Sequence, residues 1–397
     1  MRILVLSTYP ASNPIHGGQH RLSQIAKMLE ADGHTVDLRG ILGASAYPPR
    51  SGYLRFPGEA ALSKYLPDTT LMEDWAIGKY AADPHGGIQK LAALCGRSYD
   101  IVFCEQPWLF EFAYKRFSGS KRRPLFVYGS QNIEHRLKHE IAEQYLTKAL
   151  AERYAQLVEE SERFAVTRAD LIIAVSEHDR AWLNSFATAQ VVLARNGVID
   201  RRATIEDVRQ SNSISQNRKF ALYCASGHPP NIQGFYDVFG KGIGCFAPGH
   251  RLIVAGGAGP SIAADPRFAK ASGLSRKLIV AGEVSESQLR GLLATAHLIA
   301  LPITRGGGTN LKTAEALWSG RHVVGTTVAM RGFENFMSAR GLTIVDEPSC
   351  FLSAIQWAMR EPYLQLSAEE RAGRASVLWE STLLPLVQGV RDLEARK

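Results

Sequence analysis

The chain has 397 residues, more than one ordinary hydrophobic core holds, so its length predicts two domains. A hydrophobic share of 45% and a charged share of 21% are typical of a globular protein, and no apolar run reaches the roughly 18 residues that a membrane-spanning helix needs. The net charge of +8 suits anionic lipid, phosphorylated small molecules or nucleic acid, but no aromatic-interleaved nucleic-acid motif accompanies it, so we expect no nucleic-acid partner.

The first half of the chain alternates strand-like and helix-like segments. A buried strand over Arg2–Ser7 leads through a glycine-bearing loop to a helix from about Gln19, and a second strand follows, which makes one strand–helix–strand unit. Residues 44–70 predict a loop rich in Pro, Gly and Tyr. A long helix is predicted over about 134–168, and Ser176 with Asp179 predicts a capping box at the start of the next one. Further strands are predicted over Asp100–Gln106, Pro124–Ser130, Leu171–Ser176 and Val191–Val198.

The second half repeats this plan after a polar segment. Residues 201–218 lack strand periodicity and predict a linker between domains. Strands and helices then alternate again, and the C-terminal stretch of about 366–396 is expected to be helical. Helices are predicted at about 231–240, 286–295, 309–319 and 330–339. The fold class is therefore α/β, with two Rossmann-like, doubly wound domains, and ligands of such sheets bind outside the carboxyl ends of parallel strands.

The five cysteines are scattered along the chain, and none forms a C-x-x-C pair. An odd, dispersed set predicts reduced thiols in a cytoplasmic protein rather than a disulfide framework. No H-E-x-x-H motif, metal-spaced His/Cys set or G-x-S-x-G elbow appears, so we expect neither a metal site nor a serine nucleophile.

The strongest chemical signal is the stretch ITRGGGTNLKTAEALWSG, from Ile303 to Gly320. Its three glycines follow a strand and precede a helix, and peptide N–H groups and the dipole at a helix start favour an anion. Lys312 in the first turn is unfavourable for the dipole unless an anion binds, and Glu315 is placed to accept hydrogen bonds from sugar hydroxyls. The alternative is a flexible loop with an exposed Lys–Glu pair. The spacing is not that of a P-loop.

A second glycine-bearing loop, IHGGQHR, follows the first strand. Gly17 and Gly18 precede a helix, and Arg21 lies near its start, which indicates a contact to a phosphate or to an acceptor. No G-x-G-x-x-G motif follows this strand, which argues against a dinucleotide-dependent dehydrogenase.

Three further strand ends carry polar groups. YGSQNIEHRLK places Asn132 and its neighbours where ligands of parallel sheets bind, although Glu134 equally suits the start of a helix. CASGHPPNIQGF offers polar contacts from Ser226, Gly227 and Asn231, with two prolines that fix the helix entry. VAGEVSESQL ends a strand at Gly282 and Val284, whose backbone suits the edge of a base, and its Ser and Gln predict a capping box.

Together these segments resemble a glycosyltransferase of the GT-B fold and are most similar to the retaining glycosyltransferase family 4, also called glycosyltransferase group 1. HGGQHR resembles the N-terminal loop of that family, YGSQNIEH its HN-x-E strand end, AVSEHDRAWL and RNGVID its approach to the linker, and GGGTNLKTAEALWSGRHVVGT its donor loop. The resemblance covers nearly the full length and implies two domains facing across a cleft. It implies an N-terminal acceptor domain over 1–200, a linker over 201–218, a nucleotide-sugar domain over 219–375 and a final helix over 376–397 that packs back on the first domain.

The resemblance also implies roles for particular residues. The donor loop grips the pyrophosphate of a nucleotide-sugar, and the glutamate matching Glu315 holds the ribose. Gly17, Gly18 and Arg21 form the acceptor or diphosphate loop, and Lys312, Arg21 and Asn132 are the candidate catalytic groups. The donor-binding set is Gly306, Gly307, Gly308, Thr309, Asn310, Leu311, Lys312, Glu315, Ser226, Gly227, Gly282 and Val284.

The function that follows is metal-independent transfer of a sugar from a nucleotide diphosphate sugar, a co-substrate rather than a cofactor, to an acceptor with retention of configuration. The acceptor class stays open among glycan, lipid-linked sugar, protein and small molecule. The loop 44–70 is expected to shape the acceptor pocket, to touch the inner membrane face or to be a solvated loop.

Two rivals remain, because the chain departs from the family pattern. Gly307 stands where many members have a second glutamate, and Gln131 stands where a histidine often precedes Asn132. One rival is a catalytically silent sugar-nucleotide binder that partners an active transferase. The other is a GT-B sugar-nucleotide epimerase, which needs a pair of acid/base carboxylates.

Overall fold

The computed structural model describes residues 1–43, 47–58, 63–66, 71–96, 98–266, 277–306 and 308–395. The chain divides into two compact units. The N-terminal unit comprises Met1–Arg195 and Thr382–Lys397, and the C-terminal unit comprises Asn196–Ser381. All five cysteines are free thiols. Among the described residues, no helix combines the length and apolar character needed to cross a bilayer.

The N-terminal unit is built on a sheet of seven strands in the order β3-β2-β1-β4-β5-β6-β7, all paired in parallel. Every side chain of β4 and β6 is buried, as expected for strands that helices cover on both faces. The strands are β1 (Arg2–Ser7), β2 (Thr35–Leu42), β3 (Tyr53–Arg55), β4 (Ile101–Glu105), β5 (Leu125–Gly129), β6 (Leu171–Ala174) and β7 (Gln190–Leu193).

Helices connect these strands. They are α1 (Gly17–Ala31), α2 (Glu73–Ala82), α3 (Ile88–Leu94), α4 (Phe110–Phe117), α5 (Glu134–Ala142), α6 (Lys148–Val166) and α7 (Glu177–Asn184). The single helix predicted over 134–168 is two helices, because Thr147 caps the second one by accepting a hydrogen bond from the Leu150 N–H. Of the capping box predicted for Ser176 and Asp179, one bond is confirmed, since the Ser176 hydroxyl accepts from the Asp179 N–H at 3.1 Å.

The C-terminal unit has a six-stranded parallel sheet in the order β10-β9-β8-β11-β12-β13. Apolar clusters cover both of its faces, one beneath Tyr223 and Val254 and the other beneath Leu222 and Ile253. Its strands are β8 (Phe220–Cys224), β9 (Arg251–Ala255), β10 (Leu278–Gly282), β11 (Leu298–Leu301), β12 (His322–Gly325) and β13 (Leu342–Ile344).

Helices again follow the strands. They are α8 (Ile205–Ser215), α9 (Pro229–Phe239), α10 (Ala258–Ala264), α11 (Glu286–Thr295), α12 (Leu311–Ser319), α13 (Pro348–Ala358), α14 (Ala368–Arg374) and α15 (Trp379–Thr382). Most of the predicted helices have a counterpart here, but the one expected at 330–339 is a short 3-10 turn over Glu334–Phe336. The predicted capping box of Ser285 with Gln288 is confirmed.

The segment 201–218, predicted as a linker, holds α8 as part of the C-terminal unit. Thr204 and Asp207 start this helix with a reciprocal capping box. Gly291 of α11 lies so close to the Asp207 carbonyl oxygen that a Cβ at position 291 would clash with it. Asp207 also accepts a hydrogen bond from Arg290, with Nε to Oδ2 at 3.1 Å, so this polar segment is fixed to α11.

The last helix, α16 (Leu384–Ala395), belongs to the N-terminal unit although the C-terminal unit precedes it. Its Gly389 packs against the Leu171 side chain of β6, and a Cβ at position 389 would come within 3.0 Å of it. Arg391 also donates to Asp32 beyond the end of α1, with Nε to Oδ1 at 3.0 Å. The chain therefore returns to its first unit after completing the second.

Candidate functional site

Both sheets reverse their strand order at one point, between β1 and β4 in the N-terminal unit and between β8 and β11 in the C-terminal unit. Loops leave neighbouring strands in opposite directions at such a switch point, and a crevice opens at the carboxyl ends. The motifs predicted from the sequence follow these strands: IHGGQHR follows β1, CASGHPPNIQGF follows β8 and the triple-glycine stretch follows β11. Topology therefore brings the candidate residues to two strand edges.

In the C-terminal unit, Asn231 at the start of α9 joins two predicted site residues. Its Nδ2 donates to the Ser226 hydroxyl at 3.0 Å and to the Ser226 carbonyl oxygen at 3.1 Å. Its Oδ1 accepts from Lys312 Nζ at 2.9 Å. The donors and acceptors on both sides fix the orientation of the amide. The Lys312 ammonium thus points at a neutral oxygen beside the end of β8.

The loop before α12 has the geometry that its glycines allow. Gly306 and Gly308 adopt φ values of 118° and 61°, a region in which residues with a Cβ are strained. Gly307 lies outside the described residues. Thr309 is held by Asn196, whose Nδ2 donates to the Thr309 carbonyl oxygen at 3.3 Å.

The helix α12 begins at Leu311, two residues later than predicted. The reason is that Asn310 is its cap, and the Asn310 side chain accepts from the Lys312 N–H at 3.1 Å. The start of this helix therefore lies directly beside the glycine turn.

Lys312, Glu315 and the Cys224 thiol interact electrostatically at this edge. Burial lowers the pKa of Lys312, which Cys224 and Glu315 partly offset. Burial raises the pKa of Glu315 to about 7, although the Lys312 ammonium acts in the opposite direction. Burial also raises the pKa of Cys224 to about 12, so this thiol stays protonated. A cation and a carboxyl group with a pKa of about 7 therefore lie next to the start of a helix.

Gly227 and Gly282, two more predicted donor contacts, lie on the neighbouring loops. A Cβ on Gly257 would come within 2.9 Å of the Gly227 nitrogen and 3.2 Å of Glu283 Oε1, so these three loops converge. Gly282 has a φ of 64°, which a turn directly after β10 requires. Val284, by contrast, is partly buried against the apolar cluster on one face of the sheet.

In the N-terminal unit, the predicted cation Arg21 is fully buried and already has an anion. Its Nε donates to Glu105 Oε1 at 3.0 Å, and its Nη1 donates to the Ala194 carbonyl oxygen at 3.0 Å. Gln131 joins the same cluster, because its Nε2 donates to Glu105 Oε1 at 2.8 Å and to the Tyr9 hydroxyl. Arg21 therefore serves first to neutralise a buried carboxylate of its own chain.

Gly17 and Gly18 open α1 against this cluster. A Cβ at position 18 would come within 2.9 Å of the Tyr9 hydroxyl oxygen and 3.0 Å of Gln131 Oε1. The glycine is thus required for the helix to approach Tyr9 and Gln131. This contact is a packing reason for Gly18, independent of any ligand.

Glu134 at the start of α5 has a pKa that burial raises to about 7. Its Oε1 accepts from Asn132 Nδ2 at 3.2 Å and from Gln106 Nε2 at 3.1 Å. Glu162 of α6 accepts from the Glu134 N–H at 2.6 Å and from His135 Nδ1 at 2.6 Å. Predicted Asn132 therefore contacts a carboxyl group that changes charge near neutral pH.

Glu105 was not predicted from the sequence as a site residue, and Asn231 was predicted only as one polar contact. Glu105 ends a wholly buried strand, so a charged residue after an apolar run at a carboxyl strand end was the available signal. Asn231 carried no such signal, because the bond that gives it a role joins it to a residue 81 positions away. Within the described residues, no group of three or more His, Cys, Asp or Glu side chains is arranged to hold a metal ion.

Comparisons with known proteins agree with this architecture. Residues 15–202 match the model of Glycosyltransferase Family 4, and residues 222–361 match the model of Glycosyl transferases group 1. No curated protein matches the sequence.

Several solved structures share the fold at low identity. A sucrose-phosphate synthase from Thermosynechococcus elongatus is 16% identical, with 100% of each chain covered and a TM-score of 0.73. HepE from Anabaena in complex with UDP is 15% identical, with 100% of each chain covered and a TM-score of 0.60. An α,α-trehalose-phosphate synthase (UDP-forming) from Burkholderia xenovorans, in complex with glucose-6-phosphate, is 12% identical, with 99% of each chain covered and a TM-score of 0.60.

Proposed function

Because the chain belongs to the glycosyltransferases that the family 4 and group 1 models describe, we propose that it transfers a sugar from a nucleotide diphosphate sugar to an acceptor, with retention of configuration and without a metal ion. The nucleotide diphosphate sugar is a co-substrate, and no further cofactor takes part. The donor binds the C-terminal unit and the acceptor binds the N-terminal unit.

One observation carries the proposal: a glycine turn, a helix start and the Lys312 ammonium meet at one strand edge, and the hydrogen-bond partner of that ammonium is the neutral Asn231. A half-buried cation with a neutral partner is costly, and an anion from outside would offset that cost. Peptide N–H groups at a helix start favour the same anion. A diphosphate satisfies both features.

In this proposal the diphosphate is the leaving group, and the chain stabilises the charge that develops on it. The start of α12 and Lys312 supply positive potential that is already in place before the glycosidic bond breaks. Glu315, five residues into α12, accepts hydrogen bonds from the ribose hydroxyls. The loops of Gly227, Gly257 and Gly282 converge beside this group and present backbone to the base.

The N-terminal unit contributes differently. Arg21 is engaged by Glu105, so we assign it to holding the acceptor side together rather than to direct contact with the diphosphate. Asn132 and Glu134 lie near the carboxyl end of β5 and offer an amide and a carboxyl group to an acceptor hydroxyl. Uridine nucleotides are the first donors to test, because HepE was crystallised with UDP and with UDP-glucose.

The test is release of nucleoside diphosphate from a panel of nucleotide diphosphate sugars by the full chain. Turnover of one donor, lost in Lys312→Met and retained in Lys241→Met, supports the proposal; Lys241 is an exposed lysine of the same unit. If the chain binds nucleotide diphosphate sugars but turns over none of them, the result supports the catalytically silent sugar-nucleotide binder. Interconversion of two nucleotide sugars without diphosphate release would identify an epimerase instead.

A further inference from the structure

The C-terminal unit carries a second concave surface, at the amino ends of its strands. We call it the amino-end cavity; it has a volume of about 350 Å³. Arg218 and Lys219, just before β8, line it together with Arg321, just before β12. The donor group lies at the carboxyl ends of the same sheet, so the length of β8 separates the two surfaces.

The charge of the amino-end cavity is one-sided. Among the described residues, its lining includes three cationic side chains and no acidic one. Two of these cations are held by neutral oxygens: Lys219 Nζ donates to the Glu361 carbonyl oxygen at 3.2 Å, and Arg321 Nη2 donates to the Ala294 carbonyl oxygen. The carboxylate that acts on Lys219 is that of Glu361, which lies outside the lining. By contrast, Arg290 of the same unit pairs with a carboxylate.

Burial makes this arrangement more costly. It lowers the pKa of both Lys219 and Arg321, which means that the folded chain disfavours their charged forms. An anion bound among the three cations would reverse that cost. The chain thus has a second place where cations gather, and no acidic side chain is among its described lining residues.

The remaining lining suits a tetrahedral oxyanion with an organic group attached. Asn212 adds an amide, whose N–H groups donate to oxygen atoms. Tyr363 is 51% exposed, and the Lys219 ammonium lies 5.9 Å from the centre of its ring, so an aromatic face borders the cations. Arginine donors arranged around a concave surface are the groups that bind phosphate in two-pronged fashion.

We propose that the amino-end cavity binds a phosphate group, at a site separate from the donor site. A phosphate ligand at this site also accounts for part of the net charge of +8, which by itself is compatible with several classes of partner. The phosphate comes either from a soluble phosphorylated molecule or from the headgroup of an anionic lipid.

The test uses inorganic phosphate as the probe, titrated calorimetrically into the full chain at constant ionic strength. Lys312→Met serves as the background, so that the donor site contributes little. In that background, Arg218→Gln with Lys219→Gln should raise the Kd for phosphate about tenfold or more, because each lost contact is a hydrogen bond from a charged group. The matched control is Arg202→Gln with Arg209→Gln, two exposed arginines of the same unit that lie outside the cavity and remove the same charge.

Equal loss in both double variants would show that only net charge matters and would overturn the proposal. Unchanged phosphate binding in the cavity variant would overturn it as well. Arg321→Lys provides a second reading, since it retains the charge and loses the two-pronged geometry; weaker phosphate binding with an unchanged melting temperature supports the site.

Vesicles distinguish the two sources. Sedimentation of the full chain with phosphatidylcholine vesicles that contain phosphatidylglycerol, but not with pure phosphatidylcholine, assigns the phosphate to a lipid if Arg218→Gln with Lys219→Gln abolishes it. Binding of free phosphate without such sedimentation assigns it to a soluble ligand. Absence of both kinds of binding sinks the proposal.

Discussion

Arg21 in α1 and Lys312 in α12 present the same pattern in the sequence and end in different environments. Each is a cation near the start of a helix that follows a glycine-bearing loop after a central strand. Arg21 is fully buried and donates to the carboxylate of Glu105 at 3.0 Å. Lys312 donates to the amide oxygen of Asn231 at 2.9 Å.

The sequence pattern predicts a cation near a helix start, but it does not indicate whether the chain or a ligand supplies the negative partner. A cation in this position requires a negative partner, because burial without one is costly. The chain supplies that partner in the N-terminal unit, whereas in the C-terminal unit we assign it to the substrate. The same residue pattern therefore stabilises one domain and, in our proposal, binds a ligand in the other.

Arg21→Met should have the largest effect, and it should be on stability. The substitution leaves Glu105 buried without its cation, so we expect the free energy of unfolding to fall by about 3–5 kcal/mol. Chemical denaturation measures it, and Arg21→Met with Glu105→Gln should recover part of the loss. A stable Arg21→Met variant with weakened nucleotide binding would instead place Arg21 at the ligand.

Lys312→Met should show the reverse. We expect the Kd for the nucleoside diphosphate to rise about 10- to 100-fold, since a hydrogen bond from a charged donor to the diphosphate is lost, while stability falls less than in Arg21→Met. Calorimetry with Lys241→Met as the control measures it. Full nucleotide affinity in Lys312→Met would remove the phosphate assignment.

Glu134→Gln extends the comparison to the carboxyl groups. Burial raises the pKa of Glu134 to about 7, so its favourable contribution is complete below the unfolded pKa near 4.5 and is lost as the pH rises through 7. We expect Glu134→Gln to be more stable than the wild type by about 3 kcal/mol at pH 8, with no difference at pH 4. Denaturation at the two pH values checks this, and equal stability at pH 8 would contradict it.

Glu315→Gln should have the smallest effect and should separate ligand binding from packing. Burial raises the pKa of Glu315 to about 7, and ribose hydroxyls donate best to the ionised form. The variant should bind the nucleotide about tenfold more weakly at pH 8, and the ratio of the two Kd values should approach one below pH 6. The ratio cancels the titration of the ligand's own phosphates. A ratio independent of pH would remove the ribose role.

Much of the fold was predictable, because strand and helix periods are local. The helix expected at 286–295 is Glu286–Thr295, and the alternation of strands and helices indicated two parallel sheets. The division of the helix over 134–168 at Thr147 was not predicted, and the helix expected at 330–339 is a 3-10 turn. Local propensity favours a helix over such a segment, but tertiary contacts decide whether the whole segment is helical.

The candidate site was predictable in its loops and not in its bonds. Glycines before a helix identified the turn at Gly306 and Gly308, because positive φ is a local property of the backbone. The bond between Lys312 and Asn231 joins residues 81 positions apart, and that between Arg21 and Glu105 joins residues 84 apart. Contacts over such separations depend on strand order, which cannot be read from local sequence patterns.

The sequence by itself determined the α/β class, the position of the glycine turns and the family resemblance, since all of these depend on residues close together in the chain. Only the tertiary structure decided which cation donates a hydrogen bond to a carboxylate and which donates to a neutral amide. It also gathered Arg218, Lys219 and Arg321 around one cavity. The physical reason is that the energy of a buried charge depends on its neighbours in space, and folding chooses those neighbours.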